Sequence, residues 1–285
     1  VARNIADIIE REFADRPKSW RPMIYCWRGG MRSLSLAIWM RMIGWRAVQL
    51  TGGYKTWRRY VVKTLSEKPA GYRWRVICGA TGSAKTAVLT ALARHGAQTL
   101  DLEALAAHKG SVLGDIPNLP QPSQKLFETR LMTRLAAFDP NLPVYVEAES
   151  RKIGIIALPN ALVDAIRRAP CLEICAPIEA RLDYLLRDYR YLGDNPHTLV
   201  AALTRLRGLI DNETLARWLI LAEQKKLPEL FRELLMRHYD PLYARSQSKH
   251  FEALRHASLF ATDDLSESAI DTLARQILSS DPSLT

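Results

Sequence analysis

Cys26 closes a short apolar run, Met23-Ile24-Tyr25, and opens the segment Cys26-Trp27-Arg28-Gly29-Gly30-Met31-Arg32-Ser33. Leu34, Ile38 and Met42 then recur at helical spacing toward Gly44. The cysteine therefore sits where a strand gives way to a helix, with Ser33 read as the helix N-cap and Gly44 as its stop. At such a junction, N–H groups of the loop and of the helix start can face the sulfur and favour the thiolate, the nucleophilic form. Arg28 and Arg32 add positive charge, and Gly29-Gly30 permits the tight curl that a nest of N–H donors needs. The spacing of a cysteine, five residues and an arginine suits a tetrahedral oxyanion. Cys78, Cys171 and Cys175 each end or flank a strand and are read as core residues.

A second junction follows Trp74-Arg75-Val76-Ile77-Cys78. Gly79-Ala80-Thr81-Gly82-Ser83-Ala84-Lys85-Thr86 fits the phosphate-loop pattern G-x-x-x-x-G-K-[S/T] at every position but Ala84, which stands where the pattern has glycine. Loop amides would cradle phosphate or diphosphate, Lys85 would reach its far end, and Thr86 would support Mg²⁺. The methyl of Ala84 counts against close backbone approach and hence against efficient nucleotide turnover. Glu147 and Glu149 follow the strand Val144-Tyr145-Val146 and face the same crevice if that strand lies parallel to the first. Either could support Mg²⁺, and Arg151 could clamp phosphate. Asp101 and Glu103 follow a further strand end. Gln121-Pro122-Ser123-Gln124-Lys125 opens a helix and offers either RNA contacts or a Ser123 cap.

These loops require elements to hold them. Strand candidates at Ala47 to Leu50, Thr99-Leu100, Val144 to Val146, Leu172 to Cys175 and Leu259 to Ala261 are separated by helices, which predicts a parallel α/β sheet. Gly52-Gly53 turns the chain into a basic helix near Lys55. Ser66 to Tyr72 has linker composition. The expected organisation is a first domain over 1–65, a linker over 66–72, and a phosphate-loop domain over 73–285 with a helical insertion at about 197–246. The chain opens at Val1 directly into a helical pattern, which reads as a start lying upstream.

Composition sets the outer limits. The 285 residues suffice for two domains. No apolar run is long enough to span a bilayer, and the four cysteines lack zinc-site spacing. A reduced, cytoplasmic protein is expected. The net charge of +10 is uneven: residues 1–75 hold 16 Lys and Arg against 5 Asp and Glu, residues 76–285 hold 24 against 25. The basic excess, with Arg41, Arg46, Arg58 and Arg59, suits a phosphate-rich partner such as RNA. Six of the seven tryptophans share that region; Trp27 and Tyr54 are candidates for stacking on bases, and most of the others are read as buried.

Read together, YCWRGGMRS (Tyr25 to Ser33), GGY (Gly52 to Tyr54), GATGSAKT (Gly79 to Thr86), DLEALAAHKGS (Asp101 to Ser111), QPSQKLFE (Gln121 to Glu128), VEAESRKIG (Val146 to Gly154) and YDPLY (Tyr239 to Tyr243) resemble, in order and over nearly the whole chain, the bacterial tRNA 2-selenouridine synthases. The resemblance implies a rhodanese-like α/β domain, its upstream half absent here, fused to a P-loop domain. It implies conversion of wobble 2-thiouridine in tRNA to 2-selenouridine through an S-geranyl intermediate, with geranyl diphosphate and selenophosphate as donors. It also implies that Cys26 carries selenium. A geranyl tail needs an apolar groove, and the helical segment near Leu199 to Leu235 is the expected wall. Two other classes compete: a cysteine-dependent sulfurtransferase or phosphatase fused to a P-loop ATPase or kinase, and an RNA-binding scaffold with inert loops.

Overall fold

The computed structural model describes residues 2–194, 196–250 and 252–281. The chain divides into two units, 1–64 and 65–285. The first contains α1 (Ala2–Phe13), β1 (Met23–Ile24), α2 (Met31–Ile43), β2 (Val48–Gln49) and the start of α3 (Gly53–Glu67). β1 and β2 pair in parallel, with Met23 beside Val48. Ile24, Ala37, Met40, Trp45 and Ala47 form the buried cluster beneath them. Gly44 ends α2 in the left-handed region at φ 108°, where its N–H reaches back to the carbonyls of Met40 and Arg41. α2 begins at Met31 with Gly30 as its cap, so Ser33 is not the N-cap expected from its type; its hydroxyl is used elsewhere.

The second unit begins within α3. The segment read as a linker is folded: α3 runs to Glu67, a 3₁₀ turn covers Lys68–Gly71, and buried Pro69 accepts a hydrogen bond from Trp74 Nε1 at 2.7 Å. There follow β3 (Arg73–Cys78), α4 (Lys85–Arg94), β4 (Gln98–Leu100), α5 (Leu102–Ala106), α6 (Gln124–Ala136), β5 (Pro143–Glu147), the two-residue strands β6 (Lys152–Ile153) and β7 (Ile156–Ala157), α7 (Asn160–Arg167) and β8 (Cys171–Cys175). Next come α8 (Ile178–Asp188), α9 (Arg190–Asp194), α10 (Pro196–Thr204), α11 (Asn212–Glu223), α12 (Leu227–Leu234), a π turn (Leu235–Tyr239), α13 (Asp240–His250), β9 (Ser258–Ala261) and α14 (Glu267–Ser280).

Five strands make one parallel sheet in the order β4-β5-β3-β8-β9. The first strand of the unit is central, and the chain leaves it for one side and later returns to the other. That reversal opens a crevice at the carboxyl ends of β3, β5 and β8. β5 is buried at all five positions, as a strand covered on both faces must be. α4 and α14 supply Val88, Leu89, Leu92, Leu273 and Ile277 to the core against Ile77, Tyr145, Ile174 and Phe260. The helical segment from α8 to the π turn forms its own apolar core around Leu199, Leu203, Trp218 and Leu230. No helix among the described residues is long and apolar enough to cross a membrane.

Asp281 ties the last helix to the middle of the sheet. It is buried, receives Arg75 Nε and Nη2 at 2.8 and 2.9 Å, and accepts the Tyr145 hydroxyl at 2.9 Å. Removing one side of a buried ion pair strands the other. Asp281→Ala is expected to lower the unfolding free energy by about 3 kcal/mol in urea denaturation, whereas Arg11→Ala, at an exposed pair, should change it by less than about 0.5 kcal/mol.

Candidate functional sites

In the first unit the Cys26 loop curls around its own sulfur. The N–H groups of Arg28, Gly30 and Ser33 face it, and Ser33 donates its hydroxyl to Sγ at 3.2 Å. These donors, Ser33 first, pull the thiol down to about 6, so the thiolate dominates at neutral pH. Ser33 Oγ in turn accepts from Gln49 Nε2 at 2.8 Å, and that amide also reaches the Gly29 and Gly30 carbonyls at 2.8 and 3.1 Å. A relay from Gln49 through Ser33 to Cys26 thus orients the loop. No sequence motif marks Gln49; the register of β2 places it there.

The Gly52-Gly53 turn lies directly against this loop. Tyr54 N–H donates to the Cys26 carbonyl at 2.9 Å and Lys55 N–H to that of Trp27 at 3.0 Å. Gly53 has φ +60°, and a Cβ there would stand 2.1 Å from the Cys26 oxygen, which no side chain tolerates. Trp27 and Tyr54 stack with centroids 5.2 Å apart beside the cysteine. Trp27 is exposed, as a stacking residue must be; of the other six tryptophans Trp45, Trp74 and Trp218 are buried, Trp20 is half-buried, and Trp39 and Trp57 are exposed, fewer buried than expected. Arg28, Arg32, Arg41, Arg46 and Arg59 are exposed and Arg58 half-buried. Arg41 donates to the Ala47 carbonyl and Arg59 to Thr56.

In the second unit Gly79 to Thr86 links β3 to α4. Ala84 caps α4 in the left-handed region, φ 58° and ψ 30°, with its methyl packed in the core. The backbone conformation that glycine usually supplies is therefore present without glycine, at a cost of about 1 kcal/mol. Lys85 Nζ donates to the Gly79 and Ala80 carbonyls at 2.9 and 3.4 Å. Helical residues hold the loop from the far side. Tyr243 OH accepts from Gly79 N at 2.7 Å. Arg181 donates to the Thr81 carbonyl at 3.1 Å and grips Asp240 with two bonds of 2.8 Å. Arg181 carries no motif of its own; Asp240 and Tyr243 lie in YDPLY.

The loop floors a cleft of about 790 Å³ lined also by Glu103, Lys109, Tyr184 and Tyr239, within the usual range for ligand sites. Glu103, Glu147 and Glu149 bring carboxylate oxygens within 4.8 Å of one another. Burial, then the neighbouring carboxylates, push Glu103 up to about 9 and Glu149 up to about 8. Burial also raises Glu147, against the pull of Lys85 and the Thr86 hydroxyl. Glu147 is 4% exposed, and its Oε1 has no hydrogen-bond partner among the described residues. Asp101 caps α5, and its carboxylate lies close enough to the trio to add to the rise of Glu103, Glu147 and Glu149. Gln121 and Gln124 are spent inside the unit, on the carbonyls of Ala106, Ile153 and Ala157, and Ser123 caps α6. Cys78 and Cys171 are buried, but Cys175 is exposed at the end of β8, not in the core as expected.

A parallel sheet with a phosphate loop at the end of its central strand defines a P-loop α/β domain. The family model for the tRNA 2-selenouridine synthase AAA domain matches residues 72–209. A tRNA 2-selenouridine synthase of Alcanivorax borkumensis is 37% identical over 77% of this chain and 67% of its own length. Others, from Aeromonas salmonicida and Hahella chejuensis, are 34% and 32% identical, over 78% and 86% of this chain and 66% and 70% of their own lengths. The chain belongs to the tRNA 2-selenouridine synthase family and spans about two thirds of the length of these relatives.

Two outcomes follow from the ionisations. Alkylation of Cys26 by iodoacetamide should rise with a midpoint near pH 6 and be lost below it; Ser33→Ala should move that midpoint upward by about one unit or more. Glu103 and Glu149 are raised, so the stability contributed by their protonated forms is complete below the ordinary carboxylate range and is lost as pH rises through about 8 to 9. The thermal midpoint should therefore fall from pH 6 to pH 9, and Glu103→Gln should flatten that fall.

Proposed function

We propose that the protein is a tRNA-modifying transferase that converts wobble 2-thiouridine to 2-selenouridine by way of S-geranyl-2-thiouridine. Geranyl diphosphate would bind at the phosphate loop and selenophosphate at the Cys26 loop, within a rhodanese-like first domain. The observation that carries the reading is the ring of inward N–H groups and the Ser33 hydroxyl around a thiolate-prone Cys26. Such a ring fits a nucleophile that handles a tetrahedral oxyanion and has no purpose around an inert core cysteine.

In the geranylation step the carbon–oxygen bond of the donor breaks and a carbon–sulfur bond to the thiouridine forms. Charge then accumulates on the departing diphosphate. Lys85 and the amides from Ala80 to Thr86 are the groups that would meet it, by exchanging the loop carbonyls that Lys85 now contacts for phosphate oxygens. Thr86 with Glu147 and its two neighbouring glutamates fits a hard cation, because a buried carboxylate oxygen there has no partner. Mg²⁺ bound to them would neutralise diphosphate charge.

The expected geranyl wall needs revision. Most of Leu199 to Leu235 closes on itself as a core. Only Phe231 and Leu234 reach a recess beside the cleft, with Leu113, Leu185 and Tyr189, and its volume is about 20 Å³, room for one water. The tail would lie in the main cleft against Leu185, Tyr189 and Leu242. Trp27 and Tyr54 offer a stacking platform for the anticodon base, and Arg41, Arg46, Arg58 and Arg59 a salt-sensitive hold on RNA phosphates.

Isothermal titration with geranyl diphosphate, inorganic pyrophosphate and ATP tests the phosphate-loop assignment. Geranyl diphosphate should bind more tightly than pyrophosphate, and Lys85→Ala should weaken both about tenfold or more. Tighter binding of ATP, with its hydrolysis, would favour the ATPase or kinase reading instead.

A further inference from the structure

Two arginines line the cleft beside the phosphate loop: Arg151, which the sequence offers as a phosphate clamp, and Arg167. Arg151 follows β5 on the exposed rim, and among the described residues its guanidinium meets only Asn160 Oδ1, at 3.4 Å, the first residue of α7. Arg167 is the last residue of the same helix. It is half-buried, lines the cleft, and its Nε is shielded from water with no hydrogen-bond partner among the described residues. Neither forms an ion pair with a described residue. The nearby acids are otherwise engaged: Asp188 takes Lys109 at 2.8 Å, and the glutamate trio gathers beside Thr86.

A partly desolvated guanidinium without a counter-charge is costly to keep, and an anion from outside the chain removes that cost. We propose that Arg151 and Arg167 form a binding site for the phosphodiester backbone of the substrate RNA at the cleft mouth. The inference rests on the reading of that substrate as RNA. α7 has eight residues, about 10 Å between its ends. Arg151 is held at its start and Arg167 stands at its end, and both line the cleft. Two guanidiniums spread over such a length suit successive phosphates of a single strand.

The diphosphate is the other phosphate source. It already has Lys85 and the loop amides, whereas the second unit offers RNA little else: residues 65–285 carry 27 Lys and Arg against 26 Asp and Glu. With no general positive field, RNA that enters this cleft needs discrete cations at its rim.

The test uses the whole chain, a fluorescent anticodon stem–loop containing 2-thiouridine, and inorganic pyrophosphate. The variants are Arg151→Ala, Arg167→Ala, the double variant and the double lysine variant, each checked for an unchanged thermal midpoint. The double alanine variant should bind the stem–loop about tenfold more weakly and flatten the slope of log affinity against log salt by about 1.4, the value for two phosphates of a single strand. Its pyrophosphate affinity should stay within about twofold, and the lysines should restore most of the salt slope. Loss of pyrophosphate affinity, with or without loss of RNA binding, would assign the pair to the diphosphate and overturn the proposal, as would an unchanged salt slope. Failure of the unaltered protein to bind pyrophosphate would count against the phosphate-loop reading alone, since the RNA arm is read separately.

Discussion

A helix that starts after a parallel strand leaves its first N–H groups without helical partners. Both candidate sites use that constraint. At Cys26 the unpaired amides turn on a sulfur of the same chain and stabilise its negative charge. At Gly79 to Thr86 they line a cleft, and the loop lysine rests on two loop carbonyls. One N-terminal amide cluster faces an internal sulfur and the other faces a cleft, and on the proposed function that is the physical difference between the nucleophile and the phosphate site.

The surrounding structure keeps each turn in shape. Gly52-Gly53 allows backbone to approach within hydrogen-bond distance of the cysteine loop, and Gln49 fixes the hydroxyl that acts on the sulfur. For the phosphate loop the support comes from residues about 100 and more positions downstream: Arg181, Asp240 and Tyr243. The π turn at Leu235–Tyr239 immediately precedes Asp240, and Tyr239 itself lines the cleft. Any change that loosens this helical segment therefore acts on the phosphate loop as well as on its own core.

Much of this was legible in the residues. Val144 to Val146 and Ile77 are β-branched or aromatic runs of strand length, and Gly79, Gly82 and Lys85 mark the loop between strand and helix. Composition failed where context decides. Ser33 has the type of a cap, but Gly30 takes the cap and Ser33 takes the sulfur. SEKPAGY has linker composition, but Pro69 is buried beneath Trp74. Ala84 departs from the glycine pattern, yet its core packing holds the left-handed turn. Gln49, Arg181 and Arg167 were silent because a lone polar residue acquires meaning only when the fold brings it to a loop.

On the proposed function the two sites divide the labour, with sulfur alkylation at the phosphate loop and selenium handling at Cys26. Mass spectrometry of a 2-thiouridine tRNA, incubated with the Cys26→Ser variant, geranyl diphosphate and selenophosphate, tests it most directly. The account predicts that the tRNA gains the geranyl group at the unaltered protein's rate and acquires no selenium. Selenium incorporation undiminished by the substitution, or geranylation lost along with it in a variant that remains folded, would contradict the account.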